Sequence, residues 1–307
     1  MRTAFIRQLT EDAKTNNKIF LLVGDLGYNV VEPFAESFPD RFLNVGVAEQ
    51  NMAGIAAGLA MEGYCVYAYS IANFPTLRCL EQIRYDICYH NLNVKIVAVG
   101  GGYAYGPLGA SHHATEEIGI LRTIPNMVVC APGDPYETKI ITTFTSKYTG
   151  PCYIRIGKSG EPMVHKEKEL VNLSIGAILK IREGKGNVAI FSTGAMLKYV
   201  VDFVELNNIK APIYSFPFIK PLDKYMLIDI LKVYKKIITI EEHQSQCGFG
   251  SSILEAINDL QDSRDLLQAP IVKRIAIQDK FYSIAGSQNY LRKLAGLELK
   301  KEDFIID

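Results

Sequence analysis

Short aliphatic and β-branched runs alternate with stretches of helical spacing along most of the chain. In the first half the runs are Ile19–Val23, Tyr64–Tyr69, Val94–Val99, Met127–Cys130 and Tyr153–Ile156. Before and between them, Thr3–Lys14, Val47–Met61, Arg78–Tyr89 and Tyr136–Ser146 carry helical periodicity. Strands that are apolar on both faces and separated by helices predict a parallel sheet covered on both sides. The charged segment GKSGEPMVHKEKELVNL (157–173) breaks the series and reads as a solvated linker. A second series follows, with strands expected at Asn187–Ser192, Ala211–Phe216, Ile237–Glu241 and Val272–Ile275. Helices are expected at Met196–Glu205 and, after the turn CGFGSS, at Ser251–Leu260. The pattern predicts an α/β protein of two doubly wound domains, residues 1–157 and 174–307, joined by a linker at 158–173.

Composition narrows the function. The 307 residues leave room for two domains of about 150 residues each. A hydrophobic fraction of 48% excludes a disordered chain, and 33 basic against 33 acidic residues leave no footprint for nucleic acid. The uncharged run Ile96–Thr115 is rejected as a membrane span because it is glycine-rich and contains Pro107. The opening MRTAFIRQLTEDAK has no apolar core of signal-peptide length. Six cysteines without a CxxC pair read as buried thiols in a reducing, cytoplasmic setting. His and Cys never group at ligand spacing, so no metal site is expected on this chain.

Candidate chemistry gathers where strands hand over to helices. Phe42–Val45 feeds Gly46 and then a helix rich in small residues, with Glu49 in its first turn. Alone, Glu49 reads as a carboxylate favoured by the helix dipole. Open α/β sheets, however, bind ligands at the carboxyl ends of their strands. Asp25 ends the first strand in VGDLGYN, Phe74 follows another strand in YSIANFPTLRCLEQIR, and a glycine-rich loop carries His112 and His113 ahead of a helix. A carboxylate, an aromatic ring and imidazoles on successive strand-end loops make a combination that no single residue makes. Gly248-Phe249-Gly250 is only a fragment of a dinucleotide motif and reads as turn-and-cap geometry.

Three ordered segments resemble the transketolase family of thiamine diphosphate enzymes: GVAEQNMAGIAAGLA, NFPTLRCLEQIR and GASHHATEEIGILRTIPNM. The likeness continues through STGAM (192–196), FIKPLD (218–223) and EEHQSQCGFGSSI (241–253). It covers the C-terminal half of a full-length transketolase, as in split enzymes made from two polypeptides. It implies transfer of a two-carbon ketol unit from a ketose or ketose phosphate to an aldose. Related thiamine enzymes, deoxyxylulose phosphate synthase and the beta subunits of 2-oxoacid dehydrogenases, share the same two domains and stand as the alternative.

The resemblance implies that Glu49, in an apolar pocket, hydrogen-bonds the cofactor's pyrimidine ring and serves its proton relay. Phe74 would pack on that ring with Ile71 beside it, and Asp25 would lie close by. His112 would contact substrate oxygens, with His113 at a position usually held by Gln. Arg2 and Lys158 would meet a substrate phosphate, Lys158 replacing a family Arg. Leu108 stands where the family has an Asp that contacts a substrate hydroxyl, so acceptor preference is expected to differ. Gly24-Asp25-Leu26 lacks the third residue of the GDG motif that opens magnesium-diphosphate sites and is rejected as one. A partner chain is therefore expected to hold Mg2+ and the diphosphate, in an α2β2 heterotetramer.

Overall fold

The computed structural model describes residues 1–158, 160–166 and 171–305. Two sheets organise it. The first domain contributes β1 (Ile19–Val23), β2 (Phe42–Asn44), β3 (Cys65–Ile71), β4 (Val94–Val99), β5 (Val128–Cys130) and β6 (Cys152–Ile156). The second contributes β7 (Leu179–Arg182), β8 (Val188–Ser192), β9 (Ile213–Ser215), β10 (Phe218–Lys220), β11 (Lys236–Gln244) and β12 (Ile271–Ile277). The larger sheet has the order β10-β5-β6-β4-β3-β1-β2 and the smaller one β12-β11-β8-β9-β7. β3, β4 and β6 have almost no exposed residue, as strands covered by helices on both faces require.

Two strands depart from the expected all-parallel picture. β7 runs antiparallel to β9 at the margin of the second sheet. β10, although it belongs to the second series, pairs antiparallel with β5 and completes the first domain's sheet. The Ala131 N–H donates to the Pro217 carbonyl at 2.8 Å, and Phe218 packs edge-on against Phe144 with ring centroids 5.1 Å apart. The Lys220 ammonium donates to the carbonyls of Arg122 and Ile124 at 2.8 and 2.6 Å, fixing the crossing strand at its far end.

The helix expected over Arg78–Tyr89 is present but wound unevenly. A tight turn at Leu77–Cys79 leads into Leu80–Gln82 and then a π-helical stretch, Ile83–Tyr89. Short helices at Glu32–Ser37, Lys224–Leu231 and Gln288–Leu294 have no counterpart in the sequence pattern. Five of the six cysteines are buried, while Cys247 is exposed. The expected linker runs over residues 159 and 167–170, which lie outside the described residues. No helix among the described residues is long and apolar enough to cross a membrane.

Candidate active site

Glu49 opens the helix Glu49–Met61 at the carboxyl end of β2, after a turn at Gly46 with φ of +74°. It is 2% exposed. The ends of β1 and β3 converge on it: a Cβ on Gly24 would lie 3.5 Å from Glu49 Cγ and 3.7 Å from Ser70 Oγ. Ser70 is buried at the same spot, and its hydroxyl has no hydrogen-bond partner.

The surroundings of Glu49 differ from the apolar pocket expected. Arg78 Nη1 donates to Glu49 Oε2 at 2.8 Å, while the arginine remains 48% exposed. The physical reason is local. The tight turn at Leu77–Cys79 folds the chain back so that the Arg78 guanidinium lies 4.6 Å from the centre of the Phe74 ring. Phe74 in turn meets the His112 ring edge-on at 5.4 Å. Cys79, buried nearby, has its thiol pushed up to about 12, by burial first and the Glu49 charge second.

The structure thus brings Glu49, Phe74 and His112 into one contact chain through Arg78. His113 joins it from the same loop, its carbonyl accepting from the Asn73 side chain beside Phe74. Unlike the half-exposed His112, His113 is buried, and burial holds its imidazole below the usual histidine range. His113 Nε2 has no partner, and the ring stands edge-on to Tyr103 at 5.0 Å. Ile71 ends β3, two residues before Asn73. Leu108 is 56% exposed on the loop that carries both histidines.

Asp25 forms a neighbouring exposed cluster instead of joining that chain. Its carboxylate accepts from Asn44 Nδ2 and the Tyr28 hydroxyl, both at 3.1 Å, with its backbone at φ of 54°. Arg2 hydrogen-bonds the Tyr105 hydroxyl, and its Nε is buried without a partner. Lys158 lines a separate cavity of about 390 Å³ between the two domains, together with Lys198 and Arg292. Among the described residues no group of three or more His, Cys, Asp or Glu is placed to hold a metal ion.

Arg78, Asn73 and Ser70 are the residues that sequence reasoning missed. Arg78 had a usable signal: it stands four residues after Phe74 in NFPTLR, close enough for a cation to fold onto the ring.

Residues 1–162 match the family model for the transketolase pyrimidine-binding domain, and residues 176–300 match that for the transketolase C-terminal domain. The chain belongs to the transketolase family. One of the two subunits of an apulose-4-phosphate transketolase from Actinobacillus succinogenes is 36% identical over 90% of this chain and 86% of its own. A putative transketolase C-terminal section from Methanocaldococcus jannaschii is 36% identical over 97% of this chain and 92% of its own. A solved split-gene transketolase, an inactive β4 tetramer, superposes with a TM-score of 0.82 at 33% identity, over 96% of this chain and 93% of that one. A 1-deoxy-D-xylulose-5-phosphate synthase from Clostridium perfringens is 30% identical over 96% of this chain, which spans only 47% of that enzyme. This transketolase-type chain therefore corresponds in extent to one polypeptide of a split enzyme, with the pyrimidine-binding and C-terminal domains on it.

Proposed function

We propose that this chain, paired with a diphosphate-binding subunit, transfers a two-carbon ketol unit from a ketose phosphate to an aldose with thiamine diphosphate as cofactor. The observation that carries this reading is the buried Glu49 at a strand end, linked through Arg78 and Phe74 to His112. Thiamine diphosphate, when bound, supplies the electron sink that lets a carbon–carbon bond beside a carbonyl break. The residues present suit its pyrimidine ring. Glu49 offers a carboxyl group to hold or pass a proton, Ser70 a buried hydroxyl that lacks a partner, and Phe74 an aromatic face. That face is covered by a half-exposed guanidinium, which water can take up when a planar ring arrives.

Ile71 and Asp25 are assigned to the rim of the cofactor site. His112 and His113 are assigned to substrate oxygens, and His113 brings a free ring nitrogen to that task. Leu108 presents a side chain that cannot hydrogen-bond a hydroxyl, which favours acceptors different from those of an enzyme with an acid there. Arg2 and Lys158 are assigned to a substrate phosphate, Lys158 as a point charge without Arg's bidentate fork. The names of two relatives, from Actinobacillus succinogenes and Phocaeicola vulgatus, refer to apulose 4-phosphate and favour a phosphorylated sugar.

The partner is expected to bring Mg2+ and most contacts to the diphosphate, in a cytoplasmic α2β2 heterotetramer. An uncovered face beside Glu49 supports it. Gln50, Asn51, Gly54, Gly58 and Met61 are exposed along one side of the helix, and a Cβ on Gly54 or Gly58 would meet nothing within 4 Å. Val47, 73% exposed, extends that face toward the site. The test is co-expression with the diphosphate-binding partner, followed by a screen of ketose donors with thiamine diphosphate and Mg2+. Turnover should require both chains; turnover by this chain alone would refute the reading.

A further inference from the structure

The second domain has a ligand crevice of its own, and the first domain fills it. In the second sheet the chain passes from β8 to β9 on one side and later to β11 on the other, so the strand order reverses between β8 and β11. Open α/β sheets bind ligands at such a point, beyond the carboxyl ends of the strands. Here β11 ends in Glu241, Glu242 and His243, all buried.

We infer that this crevice is a clamp for the loop carrying His112 and His113, with Glu242 as its positioning residue; the inference rests on the site reading given above. The loop is closed at its neck by a two-way backbone bridge between Gly102 and Ala114, at 2.7 and 3.0 Å. Both sides of that neck are gripped from the second domain. Glu242 Oε1 accepts the Tyr103 N–H at 2.9 Å. The Gln244 N–H donates to the Thr115 carbonyl at 2.8 Å. Arg155, buried, donates from one Nη2 to the carbonyls of Ala114 and Glu242, at 2.6 and 2.9 Å, and pairs through Nε with Glu117 at 2.8 Å.

Glu242 is itself held in place. Arg292 Nη2 reaches its Oε2 at 2.6 Å, and Gln288 Nε2 reaches both carboxylate oxygens, at 3.3 and 3.1 Å. The fit leaves no slack, since a Cβ on Gly102 would come within 2.4 Å of Glu242 Cδ. Tyr103, fixed by this bond, then stands between Tyr282 of the second domain and the ring of His113. A carboxylate far along the chain therefore sets where the two histidines stand, although it belongs to a different sheet.

Two doubly substituted chains isolate the contact. Glu242→Leu with Arg292→Leu removes both charges together, which avoids stranding a buried ion, and deletes the acceptor for Tyr103. Glu242→Gln with Arg292→Leu is equally neutral but keeps an acceptor oxygen. Hydrogen exchange on the full chain should quicken at least tenfold over residues 103–114 in the first, with residues 49–61 unchanged, and stay within threefold of wild type in the second. In the reconstituted complex, with hydroxypyruvate as donor and glycolaldehyde as acceptor, kcat/KM should fall at least tenfold in the first, mainly through KM. Affinity for thiamine diphosphate should not change. The second should recover most of that loss. Equal behaviour of the two variants, or exchange rising equally over residues 49–61, overturns the clamp. Quickened exchange with unchanged kcat/KM overturns the positioning role. A wild-type complex without turnover would count against the proposed function, and the exchange pattern would still decide the clamp.

Discussion

Glu49→Gln separates a cofactor relay from a helix-end charge. The amide fills nearly the volume of the carboxyl group, so the buried site keeps its packing, and its oxygen can still accept from Arg78. Two stabilising effects are lost. The first-turn carboxylate is worth about 0.3–1 kcal/mol with the helix dipole. The pair with Arg78 is worth at most about 1 kcal/mol, because an arginine 48% exposed is screened by water. At about 2–4 °C per kcal/mol for a chain of this class, the melting temperature should fall by no more than a few degrees. The loss of a group that holds and passes a proton should instead cost about 100- to 10,000-fold in turnover. Both quantities are read on one sample, the mutant complex reconstituted with its diphosphate-binding partner, by coupled turnover and thermal unfolding. Full turnover with a small drop in melting temperature would show that Glu49 is only a helix-end charge and would refute the relay.

The isolated chain should bind thiamine diphosphate weakly or not at all by titration calorimetry, and micromolar binding without a partner would overturn the split-enzyme reading. Leu108→Asp should raise kcat/KM for hydroxylated aldehydes relative to their deoxygenated counterparts; an unchanged ratio would mean that this exposed side chain does not face the acceptor. Phe74→Ala should weaken cofactor affinity of the complex by about 3- to 10-fold, the worth of one aromatic contact, read by fluorescence titration. His243, held down to about 4 chiefly by burial, binds fewer protons folded than unfolded between its ordinary 6.5 and that value. Its contribution is therefore present above pH 6.5 and lost as pH falls toward 4, so chemical denaturation across that window should show a smaller acid loss in His243→Gln than in wild type.

Long apolar runs made most of the fold legible before any coordinates. β1, β3, β4, β6 and β8 fall where uninterrupted Val, Ile and Leu placed them, because a strand buried on both faces leaves no polar alternation to confuse. β7 and β10 were not legible. Each is short and carries lysine, and each is a strand only because a distant segment pairs with it. The site divided in the same way. Glu49, Phe74 and His112 stand out through their motifs, and the structure links them. Arg78 did not, because its contact with Glu49 depends on the turn at Leu77–Cys79, whose sequence gives no strong turn signal. Glu242 was hidden more deeply. Nothing in EEH says which acid faces the other domain, and that is decided by Tyr103 and Arg155 more than 80 residues earlier.

The crossing strand β10 has a consequence for how the molecule holds together. The first domain's sheet is finished by three residues that arrive late in the chain, so neither half owns a complete set of paired edges. The two family-model regions should then unfold in one cooperative transition, not as beads on a string. Cutting the chain within 158–173 would strip β5 of its outer neighbour and leave a row of unpaired amides and carbonyls, a template for pairing between molecules. The first half expressed alone is thus a candidate for aggregation, even though its own series of strands and helices looks self-sufficient.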